Sequence, residues 1–279
     1  MKSILFTVAA AFLIISCVVE GLPADPDPTI ISEELSDVYD VFYGHLHNHT
    51  SISGGRGTPA EAYAFARDVA GLDFMGLADH AYQITPQEWE ETKAAADAHN
   101  QDGVFVTFRG FEWSHTTHGH VTVTGTSDYC TARAEETDSF TELIAWLETR
   151  ECIAILNHPG REDEGEEFGH FTNPPVDRIV GMELWNKSDG FSVYYDNDGY
   201  YPEDGNLGYY DEINSRGWRT GAAGSEDNHK ATWGTAAPYR MAVWAETKTR
   251  QSLYNAIIAR RFYSTLDKNI YLYFEIAGS

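Results

Sequence analysis

The amino-acid sequence predicts an α/β protein built around a largely parallel β-sheet. Two observations predict this class: short apolar segments alternate with helical segments along the chain, and three helical segments begin with the Ser/Thr-x-x-Glu pattern of a capping box. Strands that are joined through helices pair in parallel, in a sheet that is either open or closed into a barrel. With 279 residues and 42% hydrophobic composition, the chain can bury a full core for such a fold.

The first residues have the pattern of an export signal. Lys2 precedes an apolar run over residues 4–19, which is shorter than the roughly 20 residues that span a bilayer. Residues 14–17 resemble a bacterial lipobox, which predicts lipidation of Cys17 after cleavage, and ordinary signal cleavage near Gly21 is the alternative. We therefore expect a signal peptide over residues 1–21, a tether over 22–38 and a globular domain over 39–279.

An exported protein is either anchored to a membrane through a lipid on Cys17 or free in the periplasm or outside the cell. Both locations permit a disulfide between Cys130 and Cys152, and two buried free thiols are the alternative.

The helices are located by their first residues. Thr58, Thr85 and Ser139 each stand three residues before a glutamate, which predicts helices that end near residues 70, 100 and 150. A further helix is expected over residues 251–259.

Buried strands are predicted from short apolar runs. The first covers residues 41–47, and the others cover residues 72–78, 104–111, 120–124, 152–156, 179–185, 220–223 and 270–276. Residues 187–205 are rich in Asp, Gly and Tyr and predict a long loop, which either faces the substrate or is a passive surface excursion.

Histidine and acidic residues follow five of these strands. In a barrel of parallel strands the carboxyl ends meet at one rim, where active sites are built. Imidazole and carboxylate donors without cysteine suit Zn, Mn or Fe, and a set larger than four predicts more than one ion. The residues at these ends are His45, His47, Asp79, His80, Glu112, His158, Asp227 and His229.

Six motifs, taken in chain order from about Gly44 onward, resemble those of the polymerase and histidinol phosphatase (PHP) family. The similarity is greatest to an exported branch of metal-dependent phosphoesterases that is related to carbamate and amide hydrolases. This resemblance implies a distorted, TIM-like barrel of seven strands and helices, (β/α)7, with a metal cluster at its C-terminal rim. The motifs are His45-Leu46-His47, Asp79-His80, Glu112, Gly119-His120, Asn157-His158-Pro159-Gly160 and Asp227-Asn228-His229.

The resemblance also implies ligands for two or three divalent ions. Ser53 stands where the family has His or Asp, so the third ion would lack a donor. His49 is expected to orient His47, and His115 or His118 is an alternative to His120. The implied ligands are His45, His47, Asp227 and Glu112 for the first ion, Glu112, His120 and His158 for the second, and His80 and His229 for the third.

A hydrolase of phosphate esters is the function that the resemblance implies, with a hydroxide that bridges the ions as nucleophile. Glu112 is the expected bridging carboxylate, and Asp79 either orients His80 or acts as acid or base. Phosphate of a small-molecule substrate is expected to bind three cations near the motifs, which are Arg56, Arg161 and Lys230.

Two other functions stay open. The same hydroxide can attack a carbonyl carbon, which gives a carboxyl ester, amide or carbamate hydrolase, or the chain is a non-catalytic metal-binding lipoprotein. The net charge of −24 argues against nucleic acid and against an anionic membrane surface as partners, apart from the lipid anchor.

Overall fold

The computed structural model describes residues 38–161, 166–186, 208–267 and 270–272. The predicted signal peptide, Cys17, nearly all of the tether and the loop predicted over residues 187–205 lie outside these ranges. Within them, no helix has the length and apolar character needed to cross a bilayer.

The described residues form a mixed sheet of nine strands that nearly closes into a barrel. Its order is β7-β6-β5-β4-β3-β2-β1-β8-β9. The strands are β1 (Asp40–His45), β2 (Phe74–Leu77), β3 (Val106–His115), β4 (Gly119–Thr124), β5 (Ile153–Asn157), β6 (Ile179–Asn186), β7 (Gly221–Ser225), β8 (Arg240–Ala245) and β9 (Phe262–Thr265).

The two ends of the sheet approach each other where β9 lies against β6 and β7. Phe262 of β9 packs on Gly181 and Gly221, and a Cβ atom added to Gly221 would lie 2.5 Å from the Phe262 ring. Any larger side chain at Gly221 would therefore push β9 away and open the barrel.

The strand directions agree with the prediction in two blocks and differ elsewhere. β1, β2 and β3 are parallel to one another, as are β5, β6 and β7. β4 is antiparallel to β3 and β5, because a short turn rather than a helix joins it to β3. β8 and β9 are also antiparallel to their neighbours and were not predicted, and residues 270–272, the described part of the last predicted strand, form no strand.

Five α-helices are described: α1 (Pro59–Asp68), α2 (Pro86–His99), α3 (Phe140–Glu148), α4 (Tyr209–Ser215) and α5 (Arg250–Ile258). The capping boxes predicted at Thr58 and Thr85 are confirmed, with both reciprocal hydrogen bonds formed. Ser139 caps α3 by accepting a hydrogen bond from the Glu142 backbone amide.

The helices bury apolar side chains against the sheet and leave the rim to polar residues. Tyr63 of α1 is fully buried and donates a hydrogen bond of 2.7 Å to the carbonyl of Phe108. Leu143 of α3 packs in a cluster with Phe111 and Trp113 of β3. Cys130 and Cys152, for which a disulfide and free thiols were both open, are buried free thiols.

Candidate metal centre

Eight imidazole and carboxylate side chains meet at one end of the barrel. They form four overlapping groups of three, and in each group one ligand atom from every residue lies within 4.8 Å of the others. Seven of them are candidate ligands from the sequence, and His49 is the eighth. The eight are His47, His49, His80, Glu112, His120, His158, Asp227 and His229.

Glu112 lies at the centre of this cluster and is completely buried. Its Oε1 atom is 3.1 Å from His47 Nε2, 3.1 Å from His120 Nδ1 and 3.5 Å from His158 Nε2. Its Oε2 atom is 2.6 Å from His80 Nδ1. The two oxygens therefore face different histidines, which is the arrangement of a carboxylate that can bridge two cations.

Asp227 joins His47 and His49 in a second part of the cluster. Its Oδ1 atom lies 3.3 Å from His47 Nε2 and 3.0 Å from His49 Nε2. Asp227 follows β7 with a φ of 48°, and His158 follows β5 with a φ of 30°. Such left-handed backbone is costly for non-glycine residues and is concentrated at functional sites.

His49, His80 and His229 form a third part that consists of imidazoles alone. The His49 ring is stacked on that of His229 with centroids 4.0 Å apart, and its centroid is 4.5 Å from that of His80. The sequence predicted that the ion held by His80 and His229 lacks a donor at Ser53. In the structure His49 lies beside these two histidines and can supply a third donor.

His45, by contrast, lies outside the four groups. Its Nε2 atom is 2.6 Å from the carbonyl oxygen of Tyr239 and 3.2 Å from Arg240 Nη1. His45 is the last residue of β1, so its side chain is used to pack that strand against its neighbour β8. His47 and His49 come after the strand end, where the rim begins.

Asp79 was expected either to orient His80 or to act as an acid or base, but its carboxylate faces Thr50 and Ser53. Its carboxylate accepts hydrogen bonds from the Thr50 amide (2.8 Å), the Thr50 hydroxyl (2.8 Å) and the Ser53 hydroxyl (2.6 Å). It therefore anchors the loop that carries His49.

Glu183 is a buried site residue that the sequence reasoning missed. Its Oε1 accepts a hydrogen bond of 2.9 Å from His47 Nδ1, and its Oε2 accepts one of 2.9 Å from the His158 amide. A carboxylate that holds one imidazole nitrogen fixes the other for a metal. The available signal was a glutamate in an otherwise apolar predicted strand.

The three predicted substrate-binding cations differ in their exposure. Arg161 Nη1 lies 3.2 Å from His158 Nε2 and 3.9 Å from Asp227 Oδ2. Arg56 and Lys230 are exposed. The alternative ligands His115 and His118 stack on each other at the β3–β4 turn, with ring centroids 4.4 Å apart, and are not members of the four groups.

The charged groups of the cluster shift one another's pKa values. Burial acts to raise the pKa of Glu112, but His120, His47 and His80 outweigh it and hold that pKa well below its usual range. Burial acts to lower the pKa of His47, but Asp227, Glu183 and Glu112 outweigh it and raise that pKa well above its usual range. Glu112 thus stays ionised although it is buried, and it favours positive charge beside it.

Divalent ions fit this donor set. His158 Nδ1 is buried and has no hydrogen-bond partner among the described residues. The Nε2 atoms of His47 and His49 are only 3.2 Å apart. Two buried nitrogen lone pairs at that separation need a proton or a cation between them. Imidazole and carboxylate are the donors that Zn, Mn and Fe accept at hydrolytic sites.

Comparison with known sequences gives one match to a family model. A family model described as a protein of unknown function, DUF3604, matches residues 72–152. No curated protein sequence matches the chain.

Two solved structures are similar to this fold. One is a two-domain protein from Bacteroides vulgatus that contains a predicted PHP-like metal-dependent phosphoesterase, with a TM-score of 0.56, 17% identity and coverage of 82% of this chain. The chain spans 66% of that protein, just under two thirds of its length. The other is PsfC from Pseudomonas syringae, with a TM-score of 0.52, 13% identity and coverage of 81% of this chain and 91% of that one. At these identities the likeness is one of fold alone.

Proposed function

We propose that the chain is a PHP-type, metal-dependent hydrolase of phosphate esters. The observation that carries this proposal is the central position of Glu112, whose two buried oxygens face His47, His120 and His158 on one side and His80 on the other. A carboxylate in that position can hold two cations a few ångströms apart, as two-ion hydrolases require.

The overlap of the four groups limits the number of ions. Glu112 belongs to two of the groups, as do His47, His49 and His80. Four separate ions therefore cannot each have three ligands of their own, and we propose two or three ions of Zn, Mn or Fe. In this assignment His49, rather than His45, joins His47 and Asp227 around the first ion.

When bound, the ions supply a nucleophile derived from water and neutralise charge on the oxygens of the reacting group. The residues of the chain position the participants. Glu183 orients His47 through Nδ1, and Glu112 sets the separation of the two halves of the cluster. Arg161, which is beside His158, offers guanidinium donors to an anionic oxygen of the substrate.

A substrate screen tests the proposal. Protein purified without chelator and loaded with Mn, Zn or Fe is assayed on phosphomonoesters, phosphodiesters, a single-stranded oligonucleotide and carboxyl esters, and metal content is measured in parallel. We expect turnover of a small phosphate ester, no cleavage of the oligonucleotide and at least two ions per chain. Activity confined to carboxyl esters, or fewer than two ions under metal-replete conditions, would contradict the proposal.

One observation favours a second candidate, a hydrolase of carboxyl esters, amides or carbamates. Of the three predicted phosphate-binding cations, Arg161 contacts the cluster, whereas the side chains of Arg56 and Lys230 are exposed. A carbonyl substrate needs less positive charge than a phosphate dianion. The carboxyl-ester arm of the screen separates the two candidates, and ion binding without turnover of any substrate would favour the non-catalytic alternative.

We also propose that the chain is exported and lipidated at Cys17, on the strength of the apolar run and the lipobox-like residues 14–17. Expression with a radiolabelled fatty acid tests this. Label in the wild type and none in Cys17→Ser is the expected result, and label in both proteins would contradict it.

A further inference from the structure

We infer that Ser53 and Asp79 are positioning residues that fix the tautomer of His49, so that its Nε2 atom is free to bind a metal ion. This inference rests on the proposed metal-dependent function and adds to it a connection from a buried carboxylate, through a hydroxyl group, to a ligand. Hydrogen bonds join the three groups in series: Ser53 Oγ is 2.6 Å from Asp79 Oδ1 and 3.0 Å from His49 Nδ1.

The direction of each hydrogen bond follows from the number of protons. A carboxylate only accepts, so the single hydroxyl proton of Ser53 goes to Asp79 Oδ1. The Ser53 oxygen must then accept from His49, which places the imidazole proton on Nδ1. In a neutral ring the lone pair is therefore on Nε2, the atom that lies 3.0 Å from Asp227 Oδ1 and 3.2 Å from His47 Nε2.

Asp79 is held firmly enough to impose this arrangement. It is 2% exposed and accepts two further hydrogen bonds, from the amide and hydroxyl groups of Thr50. Its own backbone carbonyl accepts a hydrogen bond of 2.9 Å from the Glu112 amide. The loop that carries His49 is thus tied to the strand that carries the central carboxylate.

The turn that carries Ser53 is also fixed. The amides of Ser53 and Gly55 both donate to the Thr50 carbonyl, at 3.2 Å and 2.9 Å. A Cβ atom at Gly55 would lie 2.6 Å from that carbonyl oxygen, so glycine is required for so tight a turn. Ser53 therefore has little freedom to take its hydroxyl elsewhere.

His47 offers a comparison within the same cluster. Its Nδ1 atom donates directly to Glu183 Oε1 at 2.9 Å. His49 reaches its carboxylate through one intervening hydroxyl. Both rings consequently present Nε2 to the same point, and each depends on a buried carboxylate that is not itself in the four ligand groups.

The positioning role of Ser53 differs from that of a residue that has taken the place of a metal ligand. The two roles make opposite predictions for Ser53→Asp. A carboxylate in place of a missing ligand would tighten metal binding. A positioning role predicts weaker binding, because the new carboxylate would lie beside Asp79 and repel it.

The test is the metal affinity of purified protein, measured by competition with a chelator for Zn or Co. Ser53→Ala and Ser53→Asp are compared with Ser53→Thr, which keeps the hydroxyl. Thr50→Val is the matched control, because it removes a hydrogen bond to Asp79 Oδ2 and leaves the Oδ1–Ser53–His49 connection. We expect Ser53→Ala to weaken the affected ion by about 10- to 100-fold, Ser53→Asp also to weaken it, and Ser53→Thr and Thr50→Val to stay within about threefold of the wild type.

Equal affinity of wild type and Ser53→Ala, or tighter binding by Ser53→Asp, would overturn the inference and leave the proposed function standing. A wild type that binds no ion would instead overturn the proposed function. A second measurement needs no variant: nitrogen NMR of the ion-free wild type should show a proton on His49 Nδ1, and an unprotonated Nδ1 would overturn the inference.

Discussion

The Nε2 atoms of His47 and His49 lie 3.2 Å apart in the buried interior of the rim. Both residues follow the end of β1, and both rings point to the Asp227 carboxylate. His45, two residues before His47, points instead to the carbonyl of Tyr239, the residue that precedes β8. The first two histidines of the cluster in chain order are therefore His47 and His49.

This placement makes a prediction for two single substitutions. His49→Ala should lower the metal content by at least one ion per chain, because it removes a donor shared by two of the ligand groups. His45→Ala should keep the full metal content and lose about 1–3 kcal/mol of unfolding free energy, because it removes a fully buried side chain and its hydrogen bond to the Tyr239 carbonyl. Elemental analysis and urea unfolding of the two variants measure both quantities.

The reverse pattern, with metal lost in His45→Ala and kept in His49→Ala, would contradict the placement.

Seven of the eight clustered residues were candidate ligands from the sequence, since strand ends gather at one rim whatever the details of the sheet. The exact histidine pair was not predictable, because His45, His47 and His49 alternate with the same period and differ only in where β1 stops. That boundary depends on the pairing of β1 with β8, a strand that its short apolar run did not reveal.

Arg161 provides the prediction for substrate binding. Its guanidinium lies 3.2 Å from His158 Nε2 and can donate to a substrate oxygen held at the same place. A charge-assisted hydrogen bond contributes about 1.5–3 kcal/mol, so Arg161→Ala should lower kcat/KM for the phosphate ester by about 10- to 100-fold. Steady-state kinetics are compared with those of Arg56→Ala, an exposed cation of the same type, which should stay close to the wild type.

Equal losses in the two arginine variants would show that Arg161 acts only through the general field of the protein and would contradict a direct contact.

The two buried thiols predict a dependence of stability on alkaline pH. Burial raises the pKa of Cys130 to about 12 and that of Cys152 to about 11. In the unfolded chain a thiol has a pKa of about 8.5, so above that pH the unfolded state releases protons that the folded state retains. The unfolding free energy therefore falls as pH rises from about 8.5 towards 11, by up to about 1.4 kcal/mol per pH unit for each thiol.

Urea unfolding at pH 7.5 and pH 10.5 measures this effect. The loss of stability in the wild type should exceed that in Cys130→Ala/Cys152→Ala by at least about 2 kcal/mol, since the double variant keeps the tyrosines and lacks the thiols. The same loss in both proteins would mean that the thiols are not protected by the fold.

Some features of the fold and the site were not predicted from the sequence, and the reasons are physical. The capping boxes at Thr58 and Thr85 are local signals, and local signals can be found in a sequence. Strand direction is not local: β4 is antiparallel because its connection to β3 is too short for a helix, and β9 is fixed by the fit of Phe262 on Gly221 across the barrel. Glu183 was missed because its partner His47 is 136 residues away.

The central claim is that Glu112 joins two ions, and anomalous X-ray diffraction from crystals grown with Mn or Zn tests it most directly. The wild type should show at least two peaks, one bound to each carboxylate oxygen of Glu112, with distances of about 2.0–2.2 Å. Glu112→Gln should fold, lose at least one of these peaks and lose most of its activity. A single peak, or peaks that do not contact Glu112 in the wild type, would contradict the account.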